Sequence, residues 1–170
     1  MSLNIRLSRA EDAPLLPAVE RSAAQAFACH PGLEWIAEGP LLSSAEHMAF
    51  ITSNQEWVVV DQQDEPQGFI CTKAMGHNLH IVELSVAQAY QGLGYGRRLI
   101  AAVGDWAGTQ GFVALTLTTF TDVPWNAPFY ARLGFTRLAD SDLDGALAQL
   151  LEVEVTQHSS ARCAMSLALR

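Results

Sequence analysis

The chain has 170 residues, 49% of them hydrophobic and 16% charged, with a formal net charge of −8 and Lys73 as its one lysine. That length supports one sizeable core, so a single domain over residues 1–170 is expected, and the negative balance argues against a phosphate backbone as ligand. No apolar run approaches the roughly 20 residues that span a bilayer, which argues against a membrane partner. The N-terminal stretch MSLNIRLSRAED lacks the apolar core of an export signal, so a cytoplasmic location is expected. Cys29, Cys71 and Cys163 are odd in number, far apart and without C-x-x-C spacing, which predicts neither a disulfide framework nor a metal site.

In chain order, Ile5 to Leu7 reads as a short strand. Ser8 with Glu11 has the spacing of a capping box, opening a helix whose stripe is Leu15, Leu16, Val19, Ala23 and Phe27. CHPGLEWIAEGPL is a loop or broken helix, and Ser43 with Glu46 is a second capping box before a helix to about Asn54. Glu56 to Asp61, Gln67 to Met75 and Leu79 to Val86 read as antiparallel strands divided by turn-rich DQQDEPQ and MGHN. A helix with Leu99, Ile100, Val103, Trp106 and Ala107 on one stripe follows and stops at Gly111. Then come a strand over 114–119, a short helix in WNAPFYARLGF ended by Gly134, a strand from Phe135, a helix over 142–156 and a closing strand over 162–169. The alternation makes the class α/β.

The stretch QGLGYGRR, residues 91–98, lies between a strand and a helix. A helix start leaves main-chain N–H groups without partners and carries the positive end of the helix dipole, so an anion docked there is held by backbone. Gly92, Gly94 and Gly96 allow such a loop to close on a phosphate, and Arg97 and Arg98 add charge at its rim. Neither a Walker A loop nor G-x-G-x-x-G fits the letters. Gln91 to Gly96 fits Q/R-x-x-G-x-G instead; a tight turn with no ligand is the plainer alternative.

That pattern, the L-x-V ending of the preceding strand (Leu84, Val86) and a tyrosine four residues before Gly-Phe in FYARLGF together resemble the GNAT superfamily of N-acetyltransferases. TLTTFTDVPWNAPFYARLGF is similar to a bacterial subgroup of it. The resemblance implies a mixed, mostly antiparallel sheet of six or seven strands flanked by helices and splayed between the fourth and fifth strands. It implies acetyl-CoA as co-substrate and no metal. Its pantetheine arm would run along Leu84, Ser85 and Val86, and its diphosphate would meet Gln91, Gly92, Leu93, Gly94, Tyr95, Gly96 and Arg97. The expected activity is acetyl transfer to a primary amine of a small molecule or peptide within a ternary complex. The competing class is an acyl-CoA-binding sensor without turnover.

By the same resemblance Tyr130 is the general acid for the departing thiolate. Glu83, turned by strand alternation to the face opposite Val82 and Leu84, is the candidate base, directly or through water. His80, on the other face from Glu83, reads as a satisfied strand histidine. The family's strand-five glutamate falls near Thr118 here, which leaves the base open. Asn126 lies four residues before the tyrosine rather than about seven, so contact with CoA and helix capping both stay open for it. Glu34 and Trp35, with Glu38, are the candidate acceptor contacts in the 28–42 segment. Trp57, Trp106 and Trp125 read as structural, and the closing strand leaves a homodimer open.

Overall fold

A computed structural model describes residues 3–157 and 160–170. The chain sorts into two compact units, Met1–Lys73 with Ile81–Trp106, and Ala74–His80 with Ala107–Arg170.

In the first unit β1 (Asn4–Leu7) pairs antiparallel with β2 (Glu56–Val60), from Asn4 opposite Val60 to Leu7 opposite Trp57. β2 pairs antiparallel in turn with β3 (Pro66–Met75), with Glu56 opposite Cys71 and an irregularity between Val59 and Val60. The run EWVVV does not alternate because every residue of β2 is buried. β4 (Asn78–Val86) is the next strand. Leu16 and Val19 of α1 (Leu16–Ala24) pack with Val58, Val60, Phe69, Cys71 and Ala87 in one core cluster. Two 3-10 turns, Gln25–Phe27 and Glu34–Glu38, lead from α1 to α2 (Ser44–Thr52). α3 (Tyr95–Thr109) buries Leu99, Ile100 and Val103, and its Trp106 meets Trp57 edge-on at 5.1 Å between ring centroids.

In the second unit β5 (Ala114–Phe120) pairs in parallel with β4 at three positions, Asn78–Ala114, Leu79–Leu115 and His80–Thr116. That ladder stops there, although β4 continues to Val86 and β5 to Phe120. On its other side β5 pairs antiparallel with β7 (Arg162–Ala168) from Ala114–Ala168 to Phe120–Arg162. β6 (Thr136–Arg137) then joins the outer edge of β7. α4 (Ala127–Arg132) and α5 (Gly145–Gln157) complete the unit. The strand order is β1-β2-β3-β4-β5-β7-β6, and a mixed, mostly antiparallel sheet flanked by helices is the expected class.

The two capping boxes read from the sequence part ways. Ser43 and Glu46 form theirs at α2, with the Ser43 amide donating to the Glu46 carboxylate at 2.7 Å and the Glu46 amide to the Ser43 hydroxyl at 3.2 Å. Ser8 and Glu11 do not: α1 starts only at Leu16, with no side-chain cap at Leu15. The Asp12 carboxylate instead accepts from the Arg9 amide at 2.7 Å and from both terminal nitrogens of Arg6. That bidentate ion pair holds 8–15 as turns and raises the Arg6 pKa further above its ordinary value. The last helix also starts late, at Gly145, because the Asp144 carboxylate takes the Leu147 amide at 2.8 Å and acts as its cap.

All three cysteines are free thiols, Cys29 exposed and Cys71 and Cys163 buried. Burial pushes the Cys71 thiol well above its usual range, and the nearby Glu83 and Glu56 carboxylates push it further. A thiol titration with an aromatic disulfide reagent is therefore expected to label Cys29 promptly in the folded protein. The other two should react only at the rate of unfolding.

Candidate active site

The first unit carries the glycine loop at the start of α3. Gly92 and Gly94 have φ of +75° and +84°, a left-handed backbone region in which glycine alone is at ease. The first hydrogen bond of α3 runs from the Arg98 amide to the Gly94 carbonyl at 3.1 Å. The amides of Tyr95, Gly96 and Arg97 thus precede the helical ladder, at the positive end of a 15-residue helix. A Cβ placed on Gly92 or Gly94 would meet nothing within 4 Å. Among the described residues the space beside both glycines is thus open, which fits a diphosphate held by main chain.

The side chains of the loop divide by task. Leu93 is 62% exposed and Arg97 is exposed. Tyr95 is buried against Tyr90, with ring centroids 6.3 Å apart, so what it offers a ligand is its amide. Arg98 is exposed as well, and its guanidinium donates to the Leu3 carbonyl at 3.2 Å and lies 5.8 Å from the Tyr95 ring centre. Gln91 turns its amide nitrogen onto the Val86 carbonyl at 3.0 Å and the Ala23 carbonyl at 3.3 Å. It ties the loop to the end of β4 and to α1.

On β4, Leu84 and Val86 are half-buried and Ser85 is buried. The Ser85 hydroxyl donates to the Glu83 carboxylate at 3.0 Å, which puts the two on one face, as alternation requires. The Glu83 main chain also hydrogen-bonds the Cys71 sulfur of the neighbouring strand.

Glu34 and Trp35 both sit in the second 3-10 turn; Glu34 is exposed and the Trp35 ring is 44% exposed. Behind them the Glu20 carboxylate accepts from the Leu42 amide at 2.9 Å. Burial raises the Glu20 pKa above its ordinary value, the hydrogen bond from Leu42 offsetting part of the rise.

In the second unit Tyr130 lies on α4, its ring edge-on to Phe129 at 5.1 Å and to Phe135 at 5.6 Å. Asn126 occupies the cap position of α4 without capping it: its side-chain oxygen accepts instead from the Thr119 hydroxyl of β5 at 2.7 Å. Trp125, read as an anchor for this helix, is 40% exposed. His80 is buried with its Nδ1 3.0 Å from the Thr116 hydroxyl, the satisfied strand histidine expected. Thr118 accepts from Arg162 at 3.4 Å. Among the described residues no group of three histidines, cysteines or carboxylates comes together to hold a metal ion, and no helix is long and apolar enough to cross a membrane.

Sequence reasoning missed one ionisable pair. His47 Nδ1 and Glu56 Oε2 meet at 2.7 Å with both side chains fully buried, and His47 Nε2 and Glu56 Oε1 have no partner. The available signal was a histidine three and four residues before Phe50 and Ile51, on the apolar face of α2.

Solved structures with this fold include N-acetylglutamate synthase from Neisseria gonorrhoeae, complexed with coenzyme A and N-acetyl-glutamate, at 18% identity and a TM-score of 0.74. The similarity covers all of this chain and 36% of that one, so the present chain spans about a third of its length. PaiA N-acetyltransferase from Thermoplasma acidophilum, in complex with coenzyme A, is 20% identical over 99% of both chains with a TM-score of 0.72. The ribosomal-protein-S18-alanine N-acetyltransferase of Escherichia coli is 18% identical, covering 99% of this chain and 94% of that one, with a TM-score of 0.67. At such identities the likeness is one of fold. The sequence model of the acetyltransferase (GNAT) family matches residues 22–135, a span that holds β2 to β5, the glycine loop and Tyr130. With two thirds of its length matched, and a helix-start loop of the kind that grips a diphosphate, the chain belongs to the acetyltransferase (GNAT) family.

Proposed function

We propose that this protein transfers the acetyl group of acetyl-CoA to a primary amine of a small molecule or peptide, by direct attack in a ternary complex in the cytoplasm. The observation that carries the reading is the turn at Gly92 and Gly94, which leaves the amides of Tyr95, Gly96 and Arg97 ahead of the first hydrogen bond of α3. These bind the diphosphate of CoA through main chain, while Gln91 acts from behind by fixing the loop to Val86. The main chain of Leu84, Ser85 and Val86 pairs with the amides of the pantetheine arm, and an N–H near Leu84 polarises the thioester carbonyl. Two of the solved structures described above contain coenzyme A, in keeping with that assignment.

In the transfer the amine nitrogen forms a bond to the acetyl carbon as the carbon–sulfur bond breaks. Glu83, directly or through water, takes the ammonium proton, and Tyr130 gives a proton to the thiolate. Glu34 and Trp35 line the approach of the amine, one by charge and the other by its ring face. Asn126, held by Thr119, stands at the start of α4 and completes the cofactor contacts.

The direct test is titration calorimetry with CoA on the wild type and on Gly94→Val. A Cβ at Gly94 meets no protein atom, so the substitution acts through backbone strain at φ +84° and through bulk in the ligand's space. Affinity for CoA is expected to fall about 30-fold or more, which is roughly 2 kcal/mol, beside a loss of stability of about 1–2 kcal/mol from the strained backbone, so the titration is run where both proteins are folded. Wild-type protein that takes up no CoA, or a variant that binds it equally well, would end this reading.

A further inference from the structure

Five residues in the second half of α1 and the turn after it, Glu20 to Gln25, hydrogen-bond to two different stretches of the first unit. Toward the α1–α2 connection, Arg21 donates to the Ala37 carbonyl at 2.8 Å and to the Gly39 carbonyl at 2.9 Å. Gln25 donates to the same Ala37 carbonyl at 3.1 Å, and Glu20 accepts from the Leu42 amide at 2.9 Å. Toward the glycine loop, the Ser22 hydroxyl accepts from the Gln88 amide at 3.0 Å and the Ala23 carbonyl from the Gln91 side chain at 3.3 Å. A helix turns roughly 100° per residue. Arg21 and Gln25 therefore share one face, while Ser22 and Ala23 stand around the helix from them.

We propose that this turn and a half at the end of α1 is a bracket shared by the two substrate sites, with Arg21, Ser22 and Gln25 as positioning residues that hold the acceptor connection in register with the CoA loop. The inference rests on the reading above, in which the loop binds CoA and the connection receives the amine. The connection owes its shape to α1: the carbonyls that Arg21 and Gln25 hold belong to residues 37 and 39, at the end of the turn that carries Glu34 and Trp35. On the other side the tie through Gln91 continues to Val86, the last residue of β4. Ordering of the loop by a bound diphosphate thus pulls on Ser22 and Ala23, and through the rigid turn of helix on the carbonyls of Ala37 and Gly39. CoA binding prepares the amine site before any amine arrives.

Hydrogen exchange on the full chain, with CoA alone as the probe, tests the bracket. In the wild type, saturating CoA is expected to slow exchange of the amides within 37–42, where Pro40 has none, about threefold or more. In Arg21→Ala that protection should vanish while CoA affinity, measured separately by calorimetry, stays within about twofold, and Arg21→Lys should restore part of it. Gln25→Leu, which keeps the bulk and removes one donor, should weaken the protection in the same direction should Arg21→Ala fold poorly. CoA that binds the wild type without protecting 37–42, or protection that survives in both variants, overturns the bracket alone. Failure of the wild type to bind CoA at all would remove the parent reading and the bracket together.

Discussion

Tyr130→Phe is expected to lower the turnover of acetyl transfer about 100-fold or more, the scale of a lost general acid, while CoA binds within a few-fold of the wild type. The substitution isolates the hydroxyl because the ring is already held by apolar neighbours, Phe129 at 5.1 Å and Phe135 at 5.6 Å, and a phenylalanine makes the same edge contacts. The measurement is release of free CoA thiol from acetyl-CoA in the presence of a panel of amines, with calorimetric titration of CoA alongside. A fall in turnover with KM for acetyl-CoA kept would mark an interaction made in the transition state. Unchanged turnover would take Tyr130 out of the chemistry. A wild type that binds CoA and releases none with any amine would favour a sensor.

The second large effect falls on stability and lies away from the reaction. His47→Ala removes one partner of a fully buried, hydrogen-bonded pair and leaves the Glu56 carboxyl group alone in the core. Such a loss costs about 3–5 kcal/mol, a large share of the roughly 5–15 kcal/mol that holds a domain folded. The expected result is a urea midpoint far below that of the wild type, with the slope of the transition unchanged. Replacing both partners with apolar residues of similar volume should recover most of the loss, since the desolvation of both buried polar groups goes with them. The orphaned His47 Nε2 and Glu56 Oε1 sharpen that expectation, as the native pair leaves one polar atom on each side unsatisfied.

What was legible in the sequence was what local rules decide. The box at Ser43 and Glu46 needs only residues three apart, and the stripe of Leu99, Ile100 and Val103 needs only a period; both are found as read. The box at Ser8 and Glu11 obeys the same rule and fails. Asp12 is drawn to Arg6, and Arg6 also to Asp64 at 2.9 Å, fifty-eight residues away, a competition that no window of ten residues contains. The glycine loop was legible for the complementary reason. Its geometry is main chain, and a run of glycines before a helix declares available amides without any tertiary detail.

The side-chain part of the site was less so. The side-chain amide of Gln91 faces Val86 and Ala23, partners that become adjacent only once α1 has packed beside the loop and that no reading of the motif alone supplies. Asn126 looked like a cap by position, but the Thr119 hydroxyl of β5 claims its oxygen at 2.7 Å. His47 and Glu56 were missed because each, taken alone, is an ordinary polar residue. Only the meeting of α2 with β2 makes them a pair.

The placement of β7 between β5 and β6 has a bearing on how the protein is made. Thr136 and Arg137 find their sheet partners in Met165 and Ser166, which the ribosome adds almost thirty residues later. β5 likewise waits for residues 162–168 to cover its free edge. Until then a nascent chain exposes the edge of ALTLTTF, an apolar strand of the kind that recruits unwanted neighbours. Chaperone demand should therefore be greatest after β5 has left the ribosome and before residues 162–168 have followed it.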